Sequence, residues 1–213
     1  MKRKYFFKTL TDYISCSKVL FVLTFFCLVA GTVIGSLSAI TMNTESYESL
    51  GAYMNNFLSA YTIQPVDKGE IFRFSLYNNI KTVLFLWVSG LCVWLIPLSV
   101  IQIVARGYKL GFTIVFLIQL YKGSGVLFAL ASLLPQIMIL FPALIIYTVF
   151  NIRYAVSLKD LKKRGETLNI RKEMYLKNLV FLLGMIAVLV LCSFIDAFVV
   201  PPVLRPICSF LGR

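Results

Sequence analysis

From Gly123 to Ile152 the chain runs for 30 residues without a charged side chain, and Pro135 and Pro142 stand in its interior. A hydrocarbon core is ~30 Å thick and a helix rises ~1.5 Å per residue, so about 20 apolar residues cross it. This run is longer than one crossing needs. A proline inside a helix removes a backbone donor and crowds the preceding turn, so the run predicts a kinked or broken span. In lipid the freed carbonyls must be satisfied by neighbouring helices, side chains or water. The two prolines are seven apart, hence on nearly one face, and both kinks would bend toward one side with Gln136 beside the first. The piece before it, Leu110 to Tyr121, has only 12 uncharged residues, about 18 Å of helix. Lys122 and the turn sequence Gly123-Ser124-Gly125 separate the two.

Three further runs fit a bilayer: Val19 to Thr44, Thr82 to Ala105, and Asn178 to Val200, the last interrupted only by Asp196. With 59% hydrophobic residues and a mean hydropathy of +0.85, they predict an all-α, polytopic helical membrane protein. No length remains for a second sizeable globular domain. Ser36-Leu37-Ser38-Ala39 loosely resembles a signal cleavage site, but the apolar run before it is too long for a signal peptide. The first run is therefore expected to be an uncleaved anchor. Within it, Gly31 and Gly35 form a Gly-x-x-x-Gly face that lets another helix approach closely, from this chain or from a second copy in a homo-oligomer.

Residues 45–80 form the longest polar connection. In it Leu50, Tyr53, Met54, Phe57, Leu58 and Tyr61 recur at spacings of three and four. That pattern predicts an amphipathic helix ending near Gln64-Pro65, lying in the membrane interface, capping the bundle, or docking a partner.

The net charge of +12 is uneven: residues 1–18 and 153–177 hold 13 of the 21 basic side chains. Excess Lys and Arg mark cytoplasmic segments, and no basic stretch carries an interleaved groove-reading pattern, so nucleic acid is not an expected partner. Membrane lipids are. With both basic segments inside, the stretch between Arg106 and Arg153 must cross an even number of times, and about five spans result. The expected order is a basic N-terminus (1–18), a first span (19–44) and an outer segment (45–80). A second span (81–105), a short third (106–122) and a proline-broken fourth (123–152) follow. A cytoplasmic, solvated helical basic loop (153–177), a fifth span (178–200) and an outer tail (201–213) complete it. Arg106 is expected at the inner boundary, with Gly107 and Gly111 forming a structural hinge.

Little in the chain can do chemistry. It has no histidine, and its five cysteines form no Cys-x-x-Cys pair, so the usual zinc sets and Ser-His or Cys-His pairs are missing. Asp196 is the only acid within a span, and its late position predicts an interfacial carboxylate. Gln102, Gln119, Gln136 and Asn151 are expected to hydrogen-bond between helices. No enzyme activity, cofactor or metal is expected.

Several of these motifs occur together in one order. Gly31-x-x-x-Gly35, Asn78-Asn79-x-Lys81, Arg106-Gly107-x-x-x-Gly111-Phe112, Leu134-Pro135-Gln136 and Phe141-Pro142-Ala143 follow one another across residues 19–155. In order and spacing they resemble the stage II sporulation protein M family. Wider relatives carry His-Gly and Glu near the Leu-Pro position; here Gln136 stands there, so no role of those groups transfers. The resemblance implies a scaffold in the mother-cell membrane of a spore-forming bacterium. It would localise the peptidoglycan-degrading stage II sporulation proteins D and P during engulfment. A permease- or channel-like subunit is the alternative from another class.

Overall fold

A computed structural model describes residues 18–63, 67–164 and 168–204. The basic N-terminus, the helix end near Gln64-Pro65 and most of the outer tail lie outside the described residues. Within them all regular structure is helical: α1 (Lys18–Ile40), α2 (Thr44–Ile63), α3 (Lys68–Gly90), α4 (Ile96–Pro135), α5 (Phe141–Arg164) and α6 (Leu168–Phe198). Four stretches are long and apolar enough to cross a membrane: Lys18–Ile40, Val93–Leu134, Ile137–Lys159 and Glu173–Leu204. α3 has length enough but carries Lys68, Glu70, Arg73 and Lys81.

Residue pairings give the helix directions. Gly31 of α1 lies opposite Val104 of α4, and Gly35 opposite Tyr108, so these two helices are parallel. Ser89 meets Ser99, and Thr82 meets Arg106, so α3 runs against α4. Tyr147 stacks on Phe181 and Tyr154 meets Tyr175 edge-on, making α5 and α6 antiparallel. The core between them contains Val83, Leu86, Ile103, Leu144, Tyr147 and Leu189.

Three boundaries differ from the sequence expectation. Residues 81–105 are not one helix: the chain turns at Leu91-Cys92 and passes through a 3-10 turn, Val93–Leu95, before α4 begins. Charge cannot mark this turn, because every residue in it is uncharged. Residues 68–80, expected in the outer connection, are the first half of α3, which Asp67 caps by accepting from the Gly69 N–H at 2.8 Å; a short polar side chain before the first turn supplies such a cap. The basic stretch 153–177, by contrast, is largely helical as expected, formed by the end of α5 and the start of α6 on either side of the undescribed residues 165–167. Finally, the expected proline break is a widened turn. Helical structure continues through Pro135, a π turn at Gln136–Leu140, and Pro142; a π turn inside a helix relieves the local crowding that a proline ring causes.

The chain reverses at Lys122, beside the turn sequence Gly123-Ser124-Gly125 that was expected to separate the two runs; there φ is 51° and ψ is −130°. The helix folds back there, placing Gly125 directly on the Leu117 carbonyl. A side chain at Gly125 would strike that backbone. α2 covers this hairpin: Leu58 packs with Leu117, Phe128 and Ala129, and the Tyr121 hydroxyl donates to Asn55 Oδ1 at 2.8 Å.

Lys122 holds a conformation that glycine adopts freely and other residues adopt at a cost of about 1–3 kcal/mol. Lys122→Gly should therefore raise the thermal unfolding midpoint of the detergent-solubilised protein, and Lys122→Val should lower it.

Candidate functional site

The α1–α4 contact is made by two interleaved Gly-x-x-x-Gly faces. A Cβ at Gly31 would run into the Val104 carbonyl, and one at Gly35 into the Tyr108 carbonyl. From the other side, Gly107 faces the Leu28 carbonyl and Gly111 the Thr32 carbonyl. The four glycines thus let two backbones meet with almost no side chain between them, the geometry that small residues provide inside a bilayer. The Ser38 and Tyr108 hydroxyls share a hydrogen bond of 2.8 Å at the edge of this contact.

On another face of α4, Arg106 reaches α3. Its Nη2 donates to the Asn78 carbonyl (3.3 Å), to Asn79 Oδ1 (3.4 Å) and to Thr82 Oγ1. These are the middle turns of α3, so Arg106 is inside the bundle rather than at its inner boundary. The network continues to α6. Asn79 Nδ2 donates to Ser75 Oγ (3.4 Å) and Ser193 Oγ (3.5 Å), and the Ser75 hydroxyl donates to Asp196 Oδ2 at 2.7 Å. Asp196 is 8% exposed and Ser193 fully buried; the carboxylate belongs to the core, not to an open interface. The Arg106 guanidinium of α4 and the Asp196 carboxylate of α6 are therefore joined through Asn79 and Ser75 of α3, with the Ser193 hydroxyl of α6 beside them. Each charge has polar partners where lipid would supply none.

The other expected residues are placed as follows. Pro135 ends α4, Gln136 opens the π turn, and Pro142 is exposed in the first turn of α5. The side chains of Pro135, Gln136 and Tyr61 lie outside the described residues. Tyr53 and Phe57 point outward from α2 at 71% and 44% exposure, while Leu58 is buried and Met54 packs beside it. The apolar stripe of α2 thus divides into an inward and an outward part. Gln119 is exposed, whereas Asn151 is fully buried against Gly90.

Sequence reading missed Ser75, Thr82 and Ser193, and with them the polar face of α3. Ser75, Asn79, Thr82, Leu86 and Ser89 recur at spacings of four, three, four and three. That periodicity is the signal a helical wheel of 68–90 would have given.

These features define a class first: a multi-pass helical membrane protein whose interior is built from close glycine contacts and a buried polar seam. Residues 23–201 match the family described as stage II sporulation protein M, and the chain belongs to that family. Neither a curated protein nor a solved structure matches it.

Because the glycine contacts are with backbone, which cannot move aside locally, Gly31→Val and Gly111→Val should each destabilise the fold by about 3 kcal/mol. The loss should appear as reduced membrane abundance and earlier unfolding in detergent. Arg106→Met should cost less, about 1–3 kcal/mol, and substitution by Lys, which lacks the planar fork, should restore only part of it.

Proposed function

We propose that this protein is a non-enzymatic membrane scaffold of the sporulation engulfment machinery. It gathers peptidoglycan-degrading partners, the stage II sporulation proteins D and P, at the septal membrane of the mother cell. Family membership supports the sporulation setting; the partners and the location come from the resemblance. Hydrolysis belongs to those partners, whose substrate lies outside the membrane. The topology that serves this role has five crossings, with α3 as the fifth beside the four apolar stretches. The N-terminus and the 153–177 stretch are then inside, and α2 is outside.

The observation that carries the reading is the division of α2. Gly51, Met54 and Leu58 face the α4 hairpin, and the outward side presents Leu50, Tyr53 and Phe57. Aromatic side chains on an otherwise anchored helix suit a protein contact, because they bury much area for little lost freedom. A permease- or channel-like subunit is the second reading, favoured by the buried chain from Arg106 to Asp196, since polar groups inside a bundle also mark substrate paths. Flux across proteoliposomes containing the pure protein decides between them, and substrate movement would replace the scaffold reading.

Serine at Tyr53, Phe57 and Tyr61 together should leave abundance unchanged and abolish hydrolase recruitment in sporulating cells. Unimpaired recruitment by that variant would move the contact elsewhere. Alkaline phosphatase fused at Asn55 should be active and at Gly165 inactive; activity at Gly165 would refute the five-crossing arrangement.

A further inference from the structure

The contact between α3 and α4 has two flanks. On α4, Ile103 and Lys109 stand three residues to either side of Arg106, which puts them on opposite sides of it. Ile103 turns into the core and is buried, whereas Lys109 turns away from it and is exposed. On α3, Asn79 is buried toward the core while Asn78 and Lys81 are exposed. Because Thr82 meets Arg106 and the helices are antiparallel, Lys81 is level with Gly107, within a turn of Lys109 along the axis. The flank away from the core thus gathers three cations, Lys81, Arg106 and Lys109. None of them has an ion pair among the described residues. Arg106 donates to α3 through Nη2 alone, so its Nε and Nη1 have no partner among those residues. Depth makes this costly. Gly107 packs on α1 between Leu28 and Thr32, at least eight residues from the Ile40 end of α1 and ten from the Lys18 end, about 12 and 15 Å. A cation at that level is expensive against lipid. Lysine stems can snorkel toward the headgroups, but three bonds to α3 hold the Arg106 guanidinium in place.

We propose that this flank is an intramembrane docking surface for a partner's transmembrane helix that carries an aspartate or glutamate. The carboxylate accepts from the unspent donors of Arg106, and Lys81 and Lys109 complete the charge match; hydrogen bonds between ionised groups are the strong ones. Exposed Tyr77 and Phe85 of α3 and Ile101 of α4 frame the cations with apolar surface on which a helix packs. A second copy of this chain does not fit. It brings the same three cations, and its one acid within an apolar span, Asp196, is buried and bonded to Ser75. A lipid phosphate fits poorly too, because it stays in the headgroup layer, beyond reach of a guanidinium fixed about 12 Å from the nearer helix end. The inference goes beyond the scaffold reading and does not use α2. The helix held here need not belong to a hydrolase.

The test uses a synthetic helix as the probe. The full chain is reconstituted in phosphatidylcholine vesicles with a dansyl-labelled polyleucine peptide of about 20 residues, capped by lysines. One form carries a single glutamate about eight residues from an end, and the control carries glutamine there. Energy transfer from Trp87 and Trp94 to the dansyl group reports association. Wild type should bind the glutamate helix saturably and about tenfold more tightly than the glutamine helix. The double variant Lys81→Leu, Lys109→Leu, which leaves the Arg106 bonds to α3 in place, should bind the two helices equally. Equal binding of both helices by wild type, or an undiminished preference in the folded double variant, overturns the proposal. So does loss of the preference when a third of the lipid is phosphatidylglycerol, which would give the site to a headgroup. A disulfide-linked dimer of the Lys81→Cys protein would give it to a second copy instead. Should the double variant not fold, the two single variants and the wild-type comparison of glutamate with glutamine decide.

Discussion

The architecture rests on the direct backbone contact between α1 and α4. Inside a bilayer no hydrophobic force drives one apolar helix against another, because lipid tails are as apolar as leucine. Association must come from close packing and from polar bonds. Four glycines supply the first, since each faces a carbonyl of the opposing helix at a distance that leaves no room for a Cβ. With α4 fixed against α1, its neighbouring face presents Arg106 to α3, and α3 in turn presents Ser75 and Asn79 to α6. The remaining contacts follow from that order.

The polar seam has a different physical character from the glycine contact. Glycine packing tolerates many neighbours as long as they are close, whereas hydrogen bonds demand particular atoms in particular directions. Asn79 is central because its amide can serve two sides at once: the carbonyl oxygen accepts from Arg106 and the nitrogen donates toward α6. A buried charge without such partners is expensive in lipid. Together the two contacts fix both the spacing of the helices and their rotation. The seam also explains how α3, with four charged side chains, sits in the middle of the bundle. Its Asn79, Thr82 and Ser89 are buried while its apolar Phe74 and Tyr77 are exposed.

Much of this was legible in the residues. The Gly-x-x-x-Gly spacings at 31/35 and 107/111 mark close-packing faces, although nothing in a linear pattern says that the two faces meet each other. The amphipathic repeat of 50–61 marks α2. Three things were hidden, each for a physical reason. The turn at Leu91-Cys92 is as apolar as the helices beside it, so hydropathy runs straight through. The prolines at 135 and 142 look like breaks because a proline excludes an ordinary α-turn, but a π turn absorbs the misfit. The reversal at Lys122, by contrast, falls where the short run was expected to end beside Gly123-Ser124-Gly125; only its positive φ on a lysine carries no sequence signal. The polar face of α3 shows in its own periodicity, but that it joins Arg106 of α4 to Asp196 of α6 emerges only when the three helices are viewed together.

The pairing of α1 with α4 has a consequence for how the protein is made. Val104 lies opposite Gly31 and Tyr108 opposite Gly35, so the partner of the first helix emerges from the ribosome more than seventy residues after it. At ~5–20 residues per second, that gap lasts roughly 4–15 s. For that interval α1 is already in the bilayer with its glycine groove facing lipid or the insertion machinery. α2 and α3 are completed before α4 can occupy the groove. The nascent chain therefore carries an open docking face during synthesis, and the order of translation decides which helix reaches it first.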